Sequence, residues 1–354
     1  MITESRIPAL PAVAVVLEPL RFTGSGSEYF RIWITNTFLS IVTLGIYSAW
    51  AKVRRTRYFH ANTRLSGASF DYHGKPAAIL KGRVIALVLL VVYQFASEST
   101  RLLSAALFVL ALGGMPWLIW KSLQFRLFNA SYRGIRFGFS GALSGAYIAY
   151  LLWPALASFT GFLLAPFAHQ RIKRYQHTQS RYGTARFDFS AGVGRFYLTY
   201  LKAFLVLVAG VAVLGLAFSG TLGMVARRGV QPATYVSVLA FVAALYAWFF
   251  LVIPLFSAMM QNLVWNHTSI GPHRFESRVS VARVLFIALT NLLAIVCTLG
   301  LYAPFAKVRM LKYRIEAMAL LVDGSLDDFV ATAQPQAGAL GEGMADLLDL
   351  DLAL

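Results

Sequence analysis

Residues 35–58 read "TNTFLSIVTLGIYSAWAKVRRTRY", and residues 290–313 repeat them as "TNLLAIVCTLGLYAPFAKVRMLKY"; the second half returns once more as "LAPFAHQRIKRY" at 164–175. Sliding the chain by 117 residues lays Trp50, Arg54, Arg57 and Tyr58 on Phe167, Arg171, Arg174 and Tyr175. Sliding it by 255 lays the same four on Phe305, Arg309, Lys312 and Tyr313. Upstream, the middle copy keeps only Thr160 and a Gly161 one place early. Self-similarity at this scale is an architectural signal, and it has to be read before any local motif. On an α-helix the four positions stand at i, i+4, i+7 and i+8, so an aromatic, two basic residues and a tyrosine share one face.

The chemistry of the flanking sequence places that helix beside a bilayer. The 354 residues are 58% hydrophobic and only 13% charged, with a mean hydropathy of +0.63, against about a quarter charged in an ordinary soluble domain. Runs at 84–96, 102–120, 200–220 and 235–260 are almost wholly apolar. The last three reach the roughly 20 residues a span requires, and the first does so if Lys81 and Arg83 snorkel to the interface. Pro11 interrupts the apolar stretch 9–17 and Pro8 and Pro19 flank it, which argues against a cleaved signal peptide. The single cysteine, Cys297, excludes an intrachain disulfide and a multi-cysteine metal site.

The net charge of +17 is unevenly placed. All 32 Lys and Arg precede residue 315 and seven of the 15 acids fall in the last 32 residues, so residues 1–322 carry +24 and the tail −7. Eight basic residues lie in 51–83, four in 121–137, seven in 169–202, three in 266–283 and four in 304–320. The turns inside the two long apolar hairpins, 82–122 and 196–262, hold one and two. The positive-inside rule assigns all five basic segments to the cytoplasm, with membrane lipids rather than nucleic acid as the partner. If every apolar stretch crossed once, the seven-charge segment would be translocated. The conflict disappears if the repeated apolar part enters and returns, turning at the Thr-Leu-Gly of 43–45 and 298–300 or around Thr160 and Gly161. An ordinary span over 30–51 is the alternative.

Short Gly-bounded stretches with strand character flank the repeats: "LRFTGSG" (20–26), "SGASFDYHG" (66–74), "YRGIRFGFSG" (132–141), "GTARFDFSAG" (183–192) and "GPHRFES" (271–277). The expected fold is therefore an α-helical polytopic membrane protein of three internal repeats, whose short cytoplasmic β-strands form a small cap, separated by two transmembrane helical hairpins. The divisions are an N-terminal extension 1–19, repeats 20–81, 123–195 and 263–330, hairpins 82–122 and 196–262, and an acidic disordered tail 331–354.

The repeated face has two readings. Trp50, Phe167 and Phe305 in the acyl region, Tyr58, Tyr175 and Tyr313 at headgroup level, and Arg54, Arg57, Arg171, Arg174, Arg309 and Lys312 among phosphates would make plain interfacial anchors. The sharper reading is recognition of anionic lipid headgroups or another phosphate-bearing ligand. His60 and His177 correspond between two copies but meet Ile315 in the third and lack a partner at metal-ligand spacing, so no metal and no cofactor is expected. Asp71 and Asp188, in "FDY" and "FDF", read as partners of nearby arginines. The absence of Asp and Glu from the hairpin helices argues against an ion-coupled carrier, and no nucleophile, base or paired-carboxylate arrangement suggests an enzyme. The expected role is transport or lipid or small-anion binding. The alternative is a membrane scaffold or regulator whose acidic tail docks on the basic face or on a partner.

The stretches "FTGSGSEYFRIWITN", "TLGIYSAWAKVRRTRYFHANTRLSGASFDYHG", "NASYRGIRFGFSG" and "TLGLYAPFAKVR" together resemble the YjgN-like family of polytopic bacterial inner-membrane proteins, over nearly all of 20–330. Ser48-Ala49 departs from the Ala-Pro that precedes the aromatic in the other two copies. The resemblance implies an inner-membrane location and supplies no activity, substrate or catalytic residue.

Overall fold

The computed structural model describes residues 15–334. Two short strands, β1 (Val16–Pro19) and β2 (Arg21–Phe22), lead into helices α1 (Gly26–Val42) and α2 (Ser48–Ala61), which return the chain to β3 (Thr63–Leu65) and β4 (Ala68–Tyr72). A second excursion, α3 (Pro76–Ser99) and α4 (Arg101–Phe128), ends at β5 (Ala130–Tyr132) and β6 (Ile135–Phe139). The third runs through α5 (Leu143–Tyr147), a π-helical turn at Ile148–Leu152, α6 (Trp153–Phe159) and α7 (Ala165–Thr178) to β7 (Ser180–Tyr182) and β8 (Ala185–Phe189). The fourth is α8 (Val193–Ala217), α9 (Ser219–Arg228) and α10 (Tyr235–Trp265), ending at β9 (Thr268–Ile270) and β10 (His273–Ser277). The fifth, α11 (Val281–Cys297) and α12 (Ala303–Glu316), reaches β11 (Met318–Val322), and α13 (Leu326–Ala333) follows.

The strands overturn the expected α-helical class with its small cap. They form one eleven-stranded antiparallel sheet, in the order β1-β11-β10-β9-β8-β7-β6-β5-β4-β3-β2. Its two edges, β1 and β2, are separated in sequence by Leu20 alone, and the Leu20 N–H donates to Met318 O at 2.9 Å. Val16–Pro19 pairs with β11 while Arg21–Phe22 pairs with β3, so one extended segment nearly closes the sheet into a barrel. Closure removes the exposed edges that an open sheet this wide would present. The sequence hid it for a physical reason: most pairings across the sheet join strands of two to five residues separated by a whole helical excursion, which no local periodicity reports.

Two-residue turns link Leu65 to Ala68, Tyr132 to Ile135, Tyr182 to Ala185 and Ile270 to His273. Ser66-Gly67 and Arg133-Gly134 take positive φ at both positions, the backbone that suits tight hairpins of right-twisted strands. These turns share one rim of the sheet, so every helical excursion leaves and re-enters at the opposite rim. Five equivalent hydrogen bonds close the excursions there: Thr23 N to Asn62 O, His73 N to Asn129 O, Ser140 N to Gln179 O, Ser190 N to His267 O and Arg278 N to Ala317 O, all 2.8–2.9 Å.

The barrel interior is apolar and aromatic. Phe70, Phe137, Phe187 and Phe275 occupy the third position of successive outgoing strands and stack in a row at 6.4, 6.4 and 6.1 Å. Beneath them Tyr132 donates to Leu65 O (2.8 Å) and Tyr182 donates to Tyr132 O (3.0 Å), tying three hairpins together. Helix α13 closes the rim of tight turns: Phe329 packs edge-on against His273 (4.6 Å), Thr184 N donates to Ala333 O (3.0 Å), and Asp327 pairs with Arg133. The remainder of the expected acidic tail, and most of the N-terminal extension, lie outside the described residues.

Among the described residues four helices, within α3, α4, α8 and α10, are long and apolar enough to cross a membrane, whereas Leu143–Phe159 and Val281–Cys297 are shorter apolar helices. Helix α1, with 17 residues, rises about 25 Å against a hydrocarbon core of about 30 Å.

Candidate anion site at the helical rim

The chain turns back where the sequence suggested a turn. Positive φ at Leu44 and Gly45, at Gly161 and Phe162, and at Leu299 and Gly300 reverses it between α1 and α2, α6 and α7, and α11 and α12. In each case the returning helix is the basic one, and its tyrosine latches the base of the hairpin rather than projecting outward. Tyr58 donates to Ser25 O (2.9 Å) and to Glu28 Oε2 (3.1 Å). Tyr175 donates to Ala142 O at 2.7 Å, and Tyr313 accepts the Ser280 N–H at 2.8 Å. Burial pushes the Tyr58 and Tyr175 hydroxyls up to about 12, so they remain donors. Gly24 and Gly141 lie under two of these hydroxyls, where an added Cβ would come within 2.8 and 2.7 Å of the oxygen.

The other expected site residues make separate contacts. Trp50 stacks on Tyr47 (6.3 Å), Phe167 packs edge-on against Trp153 (4.8 Å) and Phe305 stacks on Phe30 (5.4 Å). Arg57 donates from Nε to Tyr72 O (3.2 Å), Arg171 lies over the Phe167 ring (4.8 Å) and Lys312 faces Glu316 (3.9 Å). Arg309 is held within its own hairpin by Thr290 Oγ1 (2.8 Å) and Asn291 Oδ1 (3.2 Å). Arg54 and Arg174 are exposed. His177, stacked on Phe189 and hydrogen-bonded to Thr268 Oγ1, is driven down to about 4 by burial and then by Lys173.

The fold instead gathers a different set of cations. Lys52 is pushed below the ordinary lysine range by burial and then by Arg83, Arg55 and Arg126. Burial and Arg126 do the same to Lys173, and burial and Arg55 to Lys307. These six residues come from α2, α3, α4, α7 and α12, so they form a string of like charges across hairpins distant in sequence. Among the described residues none of the six has a carboxylate partner; the ion pairs there are Asp71–His73, Arg133–Asp327, Glu276–Arg278 and Lys312–Glu316. Like charges held together without counter-charges favour bound anions. The sequence signal was available in "AKVRR", where Lys52 and Arg55 stand at i, i+3, one face round from the repeated aromatic-basic face.

Within this string, between α1 and α2, a cavity of about 450 Å³ is lined by Lys52, Arg55, Arg83, Asn36, Ser40 and Ser48, with Trp33 on its apolar side. Arg83 reaches from α3 to donate to Ser48 Oγ. Asn36 is only 7% exposed, and its Oδ1 has no hydrogen-bond partner. No group of three or more His, Cys, Asp or Glu that could hold a metal ion occurs among the described residues.

A family described as "Bacterial protein of unknown function (DUF898)" matches residues 17–347. Among curated proteins, "Inner membrane protein YjgN" of Salmonella typhimurium (strain LT2) is 31% identical over 138 residues, 39% of this chain and 35% of that protein. Its namesake in Escherichia coli O157:H7 is 24% identical over 280 residues, 77% of this chain and 56% of that protein. In Escherichia coli K12 the figures are 31% over 141 residues, 38% and 34%. The matches thus span between about a third and just over half of these relatives' lengths. No solved structure matches.

Proposed function

We propose that this chain, which belongs to the DUF898 family of bacterial proteins, is a multi-pass inner-membrane protein without enzymatic activity that binds anionic lipid headgroups or a small anion on the helical side of its barrel. One observation carries the reading: Lys52, Arg55, Arg83, Arg126, Lys173 and Lys307 lie within electrostatic reach of one another on the helical side of the barrel, with no carboxylate partner among the described residues. The names of the relatives and the four span-length helices support the membrane location.

The rim also supports a topology. Because all five excursions begin and end there, hairpins of any depth leave the barrel and the basic segments on one side, and the positive-inside rule makes that side the cytoplasm. The three shorter hairpins then insert without crossing, as internal repeats built round the Thr-Leu-Gly and Thr-Gly turns. Their exposed Arg54 and Arg174 lie at headgroup depth.

The test is retention of anionic lipid by protein purified in mild detergent and read by native mass spectrometry. The expected result is retained phosphatidylglycerol that is lost when Arg126 and Lys173 are changed together to Gln. Equal retention of phosphatidylcholine, or no change in the double variant, refutes the reading. Single cysteines at Ser27 and Gly67 in a Cys297→Ser background test the topology: both should resist an impermeant thiol reagent in spheroplasts and react after permeabilisation.

A further inference from the structure

We propose that the cavity between α1 and α2 is a binding site for one phosphate group carried on an apolar or glycerol-like body. The site rests on the anion-binding reading and gives it a place and a ligand chemistry.

The first and fifth hairpins differ at one matched carboxamide, Asn36 and Asn291. In the fifth, Asn291 donates from Nδ2 to Ala306 O (3.1 Å), and its Oδ1 accepts from Arg309 (3.2 Å). The carboxamide is satisfied and the gap between α11 and α12 is closed by the hairpin's own guanidinium. Asn36, Ala51 and Arg54 hold the same places in the first hairpin. There Arg54 is exposed, Asn36 Oδ1 is unpaired, and both Asn36 and Ala51 line open space. A buried amide oxygen without a partner costs free energy comparable to a lost hydrogen bond, a cost the fifth hairpin avoids through Arg309. Asn36 lines the cavity, and a carboxamide N–H group is a donor to an oxyanion.

The remaining lining suits phosphate. Lys52, Arg55 and Arg83 supply positive charge and directional donors, and Arg83, coming from α3, clamps the open side through Ser48. Guanidinium groups match phosphate oxygens in pairs, while Ser40 adds a hydroxyl. The volume of about 450 Å³ exceeds what an inorganic phosphate fills, and Trp33 and Ile41 give the surplus an apolar wall. A phosphate on a glycerol or acyl-glycerol body fits both halves, and the chemistry is shared by a phospholipid headgroup and a soluble phosphate ester.

The experiment uses the full chain in a zwitterionic detergent. Binding of phosphatidic acid and phosphatidylglycerol is measured by native mass spectrometry, and binding of glycerol phosphate by isothermal titration calorimetry. Wild type should take up one phosphate-bearing ligand, and Arg83→Gln and Asn36→Leu should each weaken it at least tenfold, with thermal midpoints showing that both variants fold. Ser40→Ala should weaken it less and serves as the mildest probe. Tight binding of glycerol phosphate that competes with lipid makes the source soluble; lipid binding without competition makes it the membrane; either supports the site. If lipid retention falls in the Arg126 and Lys173 double variant but is unchanged in folded Arg83→Gln and Asn36→Leu, the rim binds anions and this site is refuted. If no variant changes retention, the broader reading fails as well.

Discussion

Changing Gly183 to Ala should unseat α13 from the barrel, by an amount that two other glycines allow to be separated from backbone strain. Gly183 stands in the tight turn between β7 and β8 at φ +55°, and an alanine in that left-handed region costs about 1–2 kcal/mol. Gly67 and Gly134 stand in neighbouring tight turns at φ +77° and +80°, with nothing within 4 Å of an added Cβ. Their alanine variants therefore report strain alone. At Gly183 the added Cβ would fall on the carbonyl oxygen of Ala333 and within 2.9 Å of Ile135 Cγ2. A backbone oxygen cannot rotate aside as a side chain would, so the end of α13 must move. Displacement breaks the Thr184 N to Ala333 O bond of 3.0 Å, about 1 kcal/mol net. It also loosens Phe329 from His273 and Tyr182, with about 1.5–3 kcal/mol for complete withdrawal of such a side chain. Gly183→Ala should thus cost roughly 2–4 kcal/mol more than Gly67→Ala. A cysteine at Val330 in a Cys297→Ser background provides the assay, since Val330 packs on the barrel core. It should react with a thiol reagent at least tenfold faster in the Gly183 variant and at the parent rate in the Gly67 variant. Equal rates, with equal thermal midpoints, would refute the seating of α13.

The three tyrosine latches bond residues 33 positions apart in separate hairpins. Tyr58→Phe, Tyr175→Phe and Tyr313→Phe should therefore each cost about 1 kcal/mol, nearly additively, in detergent denaturation. His177, driven down to about 4 from 6.5, takes up its proton later in the folded than in the unfolded protein. Its contribution is complete above pH 6.5 and is lost as pH falls towards 4, by about 3 kcal/mol at the limit. His177→Gln should remove its share of the slope in that window, leaving that of His169, which burial also drives down to about 4. Arg133→Gln should cost under about 1 kcal/mol, because its partner Asp327 is 83% exposed and exposed pairs contribute little; a larger loss would mean that this pair anchors α13.

The legible part of the fold was the outgoing half of each strand pair. Phe22, Tyr72, Phe139 and Phe189 all lie in the quoted strand-like stretches, each followed within two residues by Gly or Ala, and all are buried where strand passes to helix. The incoming strands β3, β5, β7 and β9 have three residues each and follow directly on long helices, so their sequence reads as a helix end. Asn62 and Asn129, which cap α2 and α4, mark those ends, yet Asn before a three-residue strand is also an ordinary turn signal. The partnership of Val16–Phe22 with both β11 and β3 could not be read from either segment, because it joins residues about 300 apart at β11 and about 40 apart at β3, and only the closed sheet satisfies their backbone groups.

The site was harder to read because repetition selects what the hairpins share, and what they share is structural. Tyr58, Tyr175 and Tyr313 recur because each closes the base of a hairpin. Arg309 recurs with Arg54, but in the fifth hairpin it satisfies Asn291, whereas in the first it leaves Asn36 unpaired beside a cavity. The informative residues are therefore those at which equivalent hairpins differ in contacts while agreeing in sequence. Lys52 and Lys307 make the same point, being matched in the repeat. Lys52 lies among three guanidiniums, whereas Lys307 rests over the Phe59 ring at 5.4 Å. Arg83 and Arg126, supplied by helices outside the repeated segment, create that difference, and a search confined to the repeat could not have found them.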